Sequence, residues 1–213
     1  MKDLYGNQEK QRVVEELVEG YNESYAPEGN ESSSSSPSEP PTTYLWSLYF
    51  LSQHYLHLGK HSRALSLLDL AISHTPTLPE LYTCRARVLK RSGDIYGAAQ
   101  SLNDARLLDL QDRFLNTKCA KYRLRAGLSD EAQEIFGLFT KVGYMRSVLR
   151  GWLTTPQKDA PNPASDLEDM QSLLFLTEDG DSHNRSGRLA MALKRYVAVQ
   201  KVRDKRLSSS VKS

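Results

Sequence analysis

The sequence predicts an all-α fold of stacked helical hairpins, and three sets of evenly spaced small residues carry that prediction. Each set recurs with a step of 34 residues: Gly59, Gly93 and Gly127; Ala64, Ala98 and Ala132; Ser52, Ala86 and Ala120. No stretch of the chain alternates as a strand would. A fixed period of this length indicates repeated supersecondary units, each of which buries its apolar face against the next.

The period of 34 is typical of the tetratricopeptide repeat, in which each unit is a pair of antiparallel helices. Two helices approach closely only where their side chains are small, which explains Ser52, Ala64 and Ala71 in the first unit. A glycine just past the first helix ends it in a left-handed conformation without Cβ strain. We therefore predict a right-handed superhelix of tetratricopeptide repeats.

The first 25 residues are predicted to hold one amphipathic helix. The helix is expected over residues 7–20, because Gly20 is a natural stop. Val13, Val14 and Leu17 make its apolar stripe, with Val18 beside them, and the stripe needs another element to cover it. Residues 26–43 contain five consecutive serines and four prolines, so we expect a flexible loop there.

Three repeats are predicted over 44–142, with helices near 44–58, 61–74, 78–92, 94–108, 112–126 and 129–142. Prolines mark 143–166 as an irregular insertion. A fourth repeat-like hairpin is expected over 167–203, because Gly187 and Ala192 keep the five-residue offset of the other units. Residues 204–213 are predicted to be a disordered tail. Because neither terminal segment looks like a capping repeat, we expect an excerpt of a longer superhelix.

Composition excludes several classes of function. The net charge is only +2, no apolar run approaches 18 residues, and the two cysteines, Cys84 and Cys119, have neither pairing nor metal spacing. The polar first 20 residues argue against a secretory signal. We expect a cytoplasmic protein with no membrane contact, no direct DNA binding and no metal.

No catalytic constellation is present in the sequence. His57 and His61 are four residues apart, but Gly59 separates them at a helix end, so they do not share a helical face. There is no phosphate-binding loop and no dinucleotide fingerprint after a strand. The sequence therefore predicts a protein that is not an enzyme and carries no cofactor of its own.

The predicted concave groove is the informative surface. The first helices of the units line it with aromatic residues such as Trp46 and Tyr49, then with cations such as Lys90, Arg91 and Lys121. From Arg85 to Arg125 there are ten Lys/Arg and four Asp, a local charge of 10 − 4 = +6. Such a surface suits a polyanion or an acidic protein; alternatively, these cations are simply solvated.

Two long stretches resemble the auxiliary subunit of the N-terminal acetyltransferase A complex. One runs from Leu45 to Tyr82, and the other includes the string DRFLNTKCAKY from Asp112 to Tyr122. The segments flanking them are also similar to that family, so the resemblance covers roughly residues 2–142 and 166–202.

The resemblance implies a non-catalytic scaffold for co-translational N-terminal acetylation. In this family the superhelix wraps a catalytic acetyltransferase subunit, which carries the acetyl-CoA site, and the full-length complex docks on the ribosome. The resemblance also implies inositol hexakisphosphate as a structural ligand.

Candidate site residues follow from the resemblance and the groove positions together. Expected contacts with the catalytic subunit are Arg113, Phe114, Trp46 and Tyr49. Expected contacts with inositol phosphate are Lys118, Lys121, Tyr122, Lys90 and Arg91. For Tyr122, packing between repeats is an equal alternative.

One other binding function remains open, that of a generic tetratricopeptide adaptor or co-chaperone module. Such a module clamps an acidic C-terminal peptide and would need lysine and asparagine side chains clustered in one groove across consecutive units. Only Asn116 lies near the groove, and the first unit has no groove lysine.

Overall fold

The computed structural model describes residues 5–26, 41–138, 167 and 172–210. All regular structure in these ranges is helical, with no strand. The helices are α1 (Gln8–Tyr25), α2 (Pro41–His57), α3 (His61–His74), α4 (Pro79–Ser92), α5 (Ile95–Leu108), α6 (Arg113–Arg125), α7 (Ser129–Gly137), α8 (Leu173–Arg185) and α9 (Leu189–Ser210). The all-α class and the predicted helical hairpins are confirmed, whereas the superhelix they would form stays a prediction.

The chain divides into two compact units. The first, Met1–Leu108, contains α1 to α5, and the second, Asp109–Ser213, contains α6 to α9. Nearly all of the predicted loop at 26–43 and of the predicted insertion at 143–166 lies outside the described residues. The exception is the end of the loop, where α2 already begins at Pro41. Proline suits the first turn of a helix because its missing N–H would have no partner there.

The glycine turns have the backbone conformation that the repeat pattern requires. Gly59, Gly93, Gly127 and Gly187 all have positive φ, between 74° and 98°. The small residues after them are buried as predicted, with Ala64, Ala98 and Ala132 fully inaccessible to solvent and Ala192 nearly so. The repeat period therefore sets both the turns and the close helix crossings.

The core of the first unit forms where these hairpins stack. One cluster joins Leu51, Tyr55 and Leu68 of the first hairpin to Cys84 and Val88 of α4. A second cluster contains Leu45 and Leu48 of α2, Ala71 of α3, and Leu81 at the start of α4. Stacking of one hairpin on the next thus removes the apolar surface from water.

Helix α1 differs from the prediction in length and in orientation. The Asn7 side chain caps it by accepting from the backbone N–H of Glu9 at 2.9 Å, and the helix passes through Gly20 to Tyr25. A glycine in a helix interior weakens it by only about 1 kcal/mol, which tertiary contacts offset. One such contact is the hydrogen bond from Ser47 Oγ to Asn22 Oδ1 at 2.9 Å.

The face of α1 that packs on the first repeat is largely polar. Lys60 Nζ lies 2.9 Å from Glu15 Oε1, and both Tyr55 and Arg63 donate to Glu19. Val18 packs beside them against the first core cluster, while Val13 and Leu17 are exposed. The predicted apolar stripe is thus split between two faces, because the acidic side chains find cationic and hydroxyl partners on the repeat.

The fourth hairpin, α8 and α9, has its own core. Phe175, Leu176, Val202 and Leu167 form a buried cluster, and Phe136 of α7 packs against it. Helix α9 continues to Ser210, so residues 204–210 are helical where a disordered tail was predicted. The reason is that Lys, Arg and Leu in this stretch are good helix formers and Val202 anchors the preceding turn.

Candidate partner and anion site

The start of α6 presents an exposed aromatic side chain. Asp112 caps the helix by accepting from the backbone N–H of Phe114 at 2.7 Å, which fixes where the helix begins. The Phe114 side chain is 62% exposed, and the Lys118 ammonium lies 4.6 Å from its ring centroid. Arg113 is exposed beside it. These three side chains form a cationic and aromatic surface over the first two turns of α6.

The cationic side chains near the end of α6 are partly neutralised by an acidic residue. Lys121 Nζ lies 2.5 Å from Glu178 Oε1, and Arg125 Nε lies 3.6 Å from Glu178 Oε2. Glu178 comes from α8 and is almost completely buried. Lys121 therefore has a carboxylate partner already, and an anion would have to compete with Glu178 for it.

Tyr122 is buried, in keeping with the packing alternative for this residue. Its exposed fraction is 5%, and the Arg125 guanidinium lies 5.8 Å from its ring centroid. Buried neighbours on α6 include Cys119 and Ala120. The ring therefore contributes to the core of the second unit whatever else the hydroxyl binds.

Asn116 does not present its amide to a groove. The side chain is buried, and its Nδ2 donates to the backbone carbonyls of Leu110 at 2.9 Å and Asp112 at 2.7 Å. These bonds fasten the turn that precedes α6. Both amide protons are thus used, so the asparagine that a peptide-carboxylate clamp needs is missing at this position.

In the first unit, Trp46 and Tyr49 form an aromatic pair on α2. Their ring centroids are 5.6 Å apart at 82°, an edge-to-face arrangement, and Trp46 is 49% exposed. Tyr49 packs against both core clusters, and its burial raises the pKa of its hydroxyl. Tyr49 is therefore held by the core, and it supports the exposed indole of Trp46. Such an arrangement suits a binding surface.

Lys90 and Arg91 lie in the last turn of α4 and are exposed. Cations are favoured there by the helix dipole. Arg91 Nη1 donates to the carbonyl of Leu56 at 3.4 Å, across to the end of α2. Leu56 itself is buried in the first core cluster. The nine predicted site residues thus fall into two sets, one in each unit.

Sequence reasoning missed two features of α8. Glu178 had no recognisable signal, because a single glutamate fits no motif. Gly180 could have been found, since it precedes Gly187 by seven residues, as Ser52 precedes Gly59. A Cβ at Gly180 would lie 2.9 Å from Tyr196 Cε1, so this position is the small-residue contact of the fourth hairpin.

A buried ion pair also joins α8 to α9. Arg195 Nε lies 2.7 Å from Asp179 Oδ2, and His183 Nε2 lies 3.5 Å from the same oxygen. Burial raises the pKa of Asp179 and lowers the pKa of Arg195. Because these groups are enclosed between two helices, we assign them a packing role.

Among the residues that the structure describes, no group of three or more His, Cys, Asp or Glu side chains could hold a metal ion. Nor does any helix in the described ranges have the length and apolar character needed to cross a membrane. The predicted site residues that the structure exposes lie on α2, α4 and α6.

Comparison with known proteins identifies relatives for almost the whole chain. Residues 1–206 match the family model for the N-terminal acetyltransferase A auxiliary subunit. The human protein "N-alpha-acetyltransferase 16, NatA auxiliary subunit" is 37% identical over 207 residues, which is 94% of this chain and 21% of the human one. The Arabidopsis thaliana protein "N-terminal acetyltransferase A complex auxiliary subunit NAA15" is 36% identical, covering 94% of this chain and 20% of its own length.

Solved structures agree with these relatives. The structure of Naa15/Naa10 bound to HypK-THB contains a chain that matches with a TM-score of 0.75 and 33% identity, covering 96% of this chain and 28% of that one. Kinesin light chain TPR-like repeats from Podosopora anserina match with a TM-score of 0.58 and 16% identity, which shows the fold alone. The chain spans about a fifth of the length of the curated relatives. It belongs to the family of N-terminal acetyltransferase A auxiliary subunits.

Proposed function

We propose that this chain is a non-catalytic part of an N-terminal acetyltransferase A complex and binds the catalytic acetyltransferase subunit. The observation that carries the proposal is the match of residues 1–206 to the auxiliary-subunit family. A solved relative of the chain is described as Naa15/Naa10 bound to HypK-THB, which supports a second polypeptide as the ligand. In this proposal acetyl-CoA belongs to the partner, and the complex acts in the cytoplasm at the ribosome.

The first turn of α6 is the best candidate for the partner contact. Phe114 exposes an aromatic ring, and aromatic and arginine side chains dominate binding energy at protein interfaces. Arg113 beside it can bind a carboxylate in bidentate fashion. Trp46 and Tyr49 supply a second aromatic contact from the first unit. The Asp112 cap holds the α6 residues at a fixed helix start, which lowers the entropy lost on binding.

A pull-down tests this contact. The chain is tagged and mixed with the purified catalytic subunit, and Arg113→Glu with Phe114→Ala is compared with wild type. We expect the double variant to lose at least about tenfold in affinity, because one hot-spot side chain is worth about 2 kcal/mol or more.

The matched control is Tyr96→Ala, since Tyr96 is an equally exposed aromatic residue on α5. This variant should bind like wild type. Equal recovery of wild type and the double variant would exclude the first turn of α6 as the contact. No recovery of the catalytic subunit by wild type would argue against the proposed function itself.

We also propose inositol hexakisphosphate as a ligand of the cationic residues. In the second unit Lys118 and Lys121 are the central candidates, and Tyr122 would contribute only its hydroxyl. In the first unit the candidates are Lys90 and Arg91. Because Glu178 pairs with Lys121 and Arg125, Glu178→Gln should raise affinity for the anion and Lys118→Glu should lower it. Titration calorimetry with inositol hexakisphosphate checks both, and an unchanged affinity in both variants would place the ligand elsewhere.

The alternative of a co-chaperone-type adaptor is less well supported. It requires an asparagine side chain free to bind a peptide carboxylate, whereas the Asn116 amide donates to two backbone carbonyls. Binding of an acidic C-terminal peptide by the wild-type chain, abolished by Lys121→Ala, would favour the adaptor.

A further inference from the structure

Helix α9 presents an apolar stripe that no described residue covers. Leu189, Leu193 and Val197 follow one another at intervals of four residues, with exposed fractions of 66%, 64% and 41%. Side chains at this spacing share one face of a helix. Three aliphatic side chains in a row on a helix surface mark a place where another element packs.

The first two repeats contain residues at the position that corresponds to Leu193. Leu193 follows its turn glycine by six residues, as Leu65 follows Gly59 and Ala99 follows Gly93. Leu65 packs against the core cluster that includes Cys84 and Val88 of the next hairpin, and Ala99 is buried. In the first repeat this position therefore packs against the next hairpin, and in the second repeat it is buried.

Helix α1 presents a matching stripe. Val13, Leu17 and Tyr21 are also four residues apart, with exposed fractions of 59%, 51% and 51%. Its opposite face holds the first repeat through Glu15 and Glu19, so this stripe faces outward. The two stripes have the same spacing and the same length, and each belongs to a helix with a firmly packed other side.

The charges beside the two stripes are complementary. Exposed glutamates line the α1 stripe every seven residues, at Glu9, Glu16 and Glu23. Of these, Glu16 accepts from Arg12 of the same helix at 2.8 Å. Exposed lysines line the α9 stripe with the same step, at Lys194 and Lys201. At 3.6 residues per turn, the glutamates lie on one side of their stripe and the lysines on the other side of theirs. Rows on opposite sides meet when two helices pack in parallel, as in parallel coiled coils.

We propose that the α9 stripe of one copy of this chain binds the α1 stripe of a second copy, head to tail, with the two helices parallel. Such an interface is heterologous, so it leaves one unused stripe at each end and adds further copies. Three apolar side chains per face make a small contact, so association is weak and depends on concentration and salt.

Sedimentation equilibrium on the full chain tests the proposal. At about 100 μM and low salt, wild type should show dimers and larger species, and high salt should reduce them. Leu17→Glu removes the α1 stripe and Leu193→Glu removes the α9 stripe. Each variant alone should be monomeric, with an association constant lowered at least about tenfold. Both side chains are exposed, so circular dichroism should show unchanged helix content.

Mixing the two variants gives the sharper result. The intact α9 stripe of Leu17→Glu can bind the intact α1 stripe of Leu193→Glu, and the two substituted faces, both acidic, repel. The mixture should therefore form a one-to-one dimer and nothing larger. The control is Leu70→Glu, an equally exposed leucine on α3, which should associate like wild type.

Two outcomes would overturn the proposal. One is a wild-type chain that remains monomeric at all concentrations and at low salt, since both stripes would then lie free or be covered within one copy. The other is a variant that still associates on its own and gains nothing when the two variants are mixed, because that pattern indicates a symmetric contact of one stripe with itself.

Discussion

The first and fourth hairpins share a turn but differ in what holds their helices together. Gly59 and Gly187 have nearly the same φ, 76° and 74°. The first hairpin is closed by apolar side chains, with Tyr55 and Leu68 fully buried. In the fourth, the Asp179–Arg195 ion pair lies between the helices in addition to the apolar cluster of Phe175 and Val202. The comparison shows that the repeat pattern specifies the turn and the close helix crossing, whereas the side chains buried between the two helices can be apolar or charged.

The largest expected effect is in the fourth hairpin. Asp179→Ala leaves Arg195, which is only 6% exposed, without its carboxylate. Breaking a buried pair by removing one partner typically destabilises by about 3–5 kcal/mol. We expect the free energy of opening of α8 and α9, measured by hydrogen exchange with mass spectrometry, to fall by about that amount.

Two further variants sharpen this result. Asp204→Ala removes an exposed aspartate from the same hairpin and should change the opening free energy by less than about 0.5 kcal/mol. Asp179→Leu combined with Arg195→Met should be less harmful than Asp179→Ala, because no buried charge is left behind. If Asp179→Ala proves neutral, the pair does not hold the hairpin.

The turn glycines should respond equally in the two hairpins. A Cβ at Gly59 or at Gly187 would meet nothing within 4 Å, so only the positive φ opposes substitution. Alanine at either position should destabilise its own hairpin by about 1–2 kcal/mol. Hydrogen exchange of the flanking helices measures both values. Unequal losses would show that the two turns are not equivalent.

Gly20→Ala is the matched control for these substitutions. Gly20 lies inside α1 with an ordinary helical backbone, and a Cβ added there would also meet nothing within 4 Å. Alanine there should stabilise α1 by about 0.5–1 kcal/mol. Opposite signs at Gly20 and Gly59 would separate backbone strain from the general preference of helices for alanine.

A smaller difference is expected at the helix crossing. In Gly180→Ala the new methyl group would lie 3.2 Å from Arg195 Cβ, which α9 holds in place, as well as 2.9 Å from the Tyr196 ring. Overpacking of about 1–3 kcal/mol outweighs the gain of about 1 kcal/mol in helix propensity. Ser52→Ala removes a hydroxyl that donates to the Tyr49 carbonyl and lies 3.8 Å from Cys84 Sγ, and it adds no overpacking. Its effect, again measured by hydrogen exchange, should therefore be smaller.

The weakest expected effect is a dependence of stability on pH near the first hairpin. Burial lowers the pKa of His54 below its ordinary 6.5, so the unfolded chain binds a proton that the folded chain does not. Stability is therefore present above pH 6.5 and lost as pH falls, with a slope of at most about 1.4 kcal/mol per pH unit. Urea unfolding at pH 7.5 and 5.5, each about a unit from that value, should show a shallower loss in His54→Gln.

The fourth hairpin should respond to pH with the opposite sign. Burial raises the pKa of Asp179 above its ordinary 3.8, so the folded chain keeps a proton there that the unfolded chain has lost. The stability gained from this proton is fully present below pH 3.8 and is lost as pH rises through the raised pKa. Glu15 follows the sign of His54: burial raises its pKa, but bonds from Lys60 and Tyr55 outweigh burial and lower it below 4.5. If the stability of His54→Gln depends on pH as steeply as that of wild type, His54 is not the source of the loss between pH 7.5 and 5.5.

Much of the fold could be predicted because the turn glycines and the small residues obey a strict period. Gly93 has to adopt positive φ, and Ala98 has to be small, so sequence alone places the hairpins. The orientation of α1 could not be predicted in the same way. Its valines and leucine suggested a buried stripe, but Glu15 and Glu19 face the repeat because Lys60 and Arg63 of another segment pair with them.

The candidate site was predicted less completely than the fold. Phe114 is exposed at a capped helix start, in keeping with a contact residue, and that much follows from repeat position. The partner of Lys121 could not be foreseen, since Glu178 lies 57 positions further along the chain and follows no spacing rule. Counting cations overstated the positive charge at α6, because a buried carboxylate compensates two of them.

The Asp179–Arg195 pair also constrains how this hairpin can diverge among relatives. Replacing one member removes the opposite charge that the other member binds in the interior. Single substitutions are therefore disfavoured at both positions. Change there has to be concerted, and the two positions should covary across homologous sequences, whereas Leu68 is free to drift to other aliphatic residues alone.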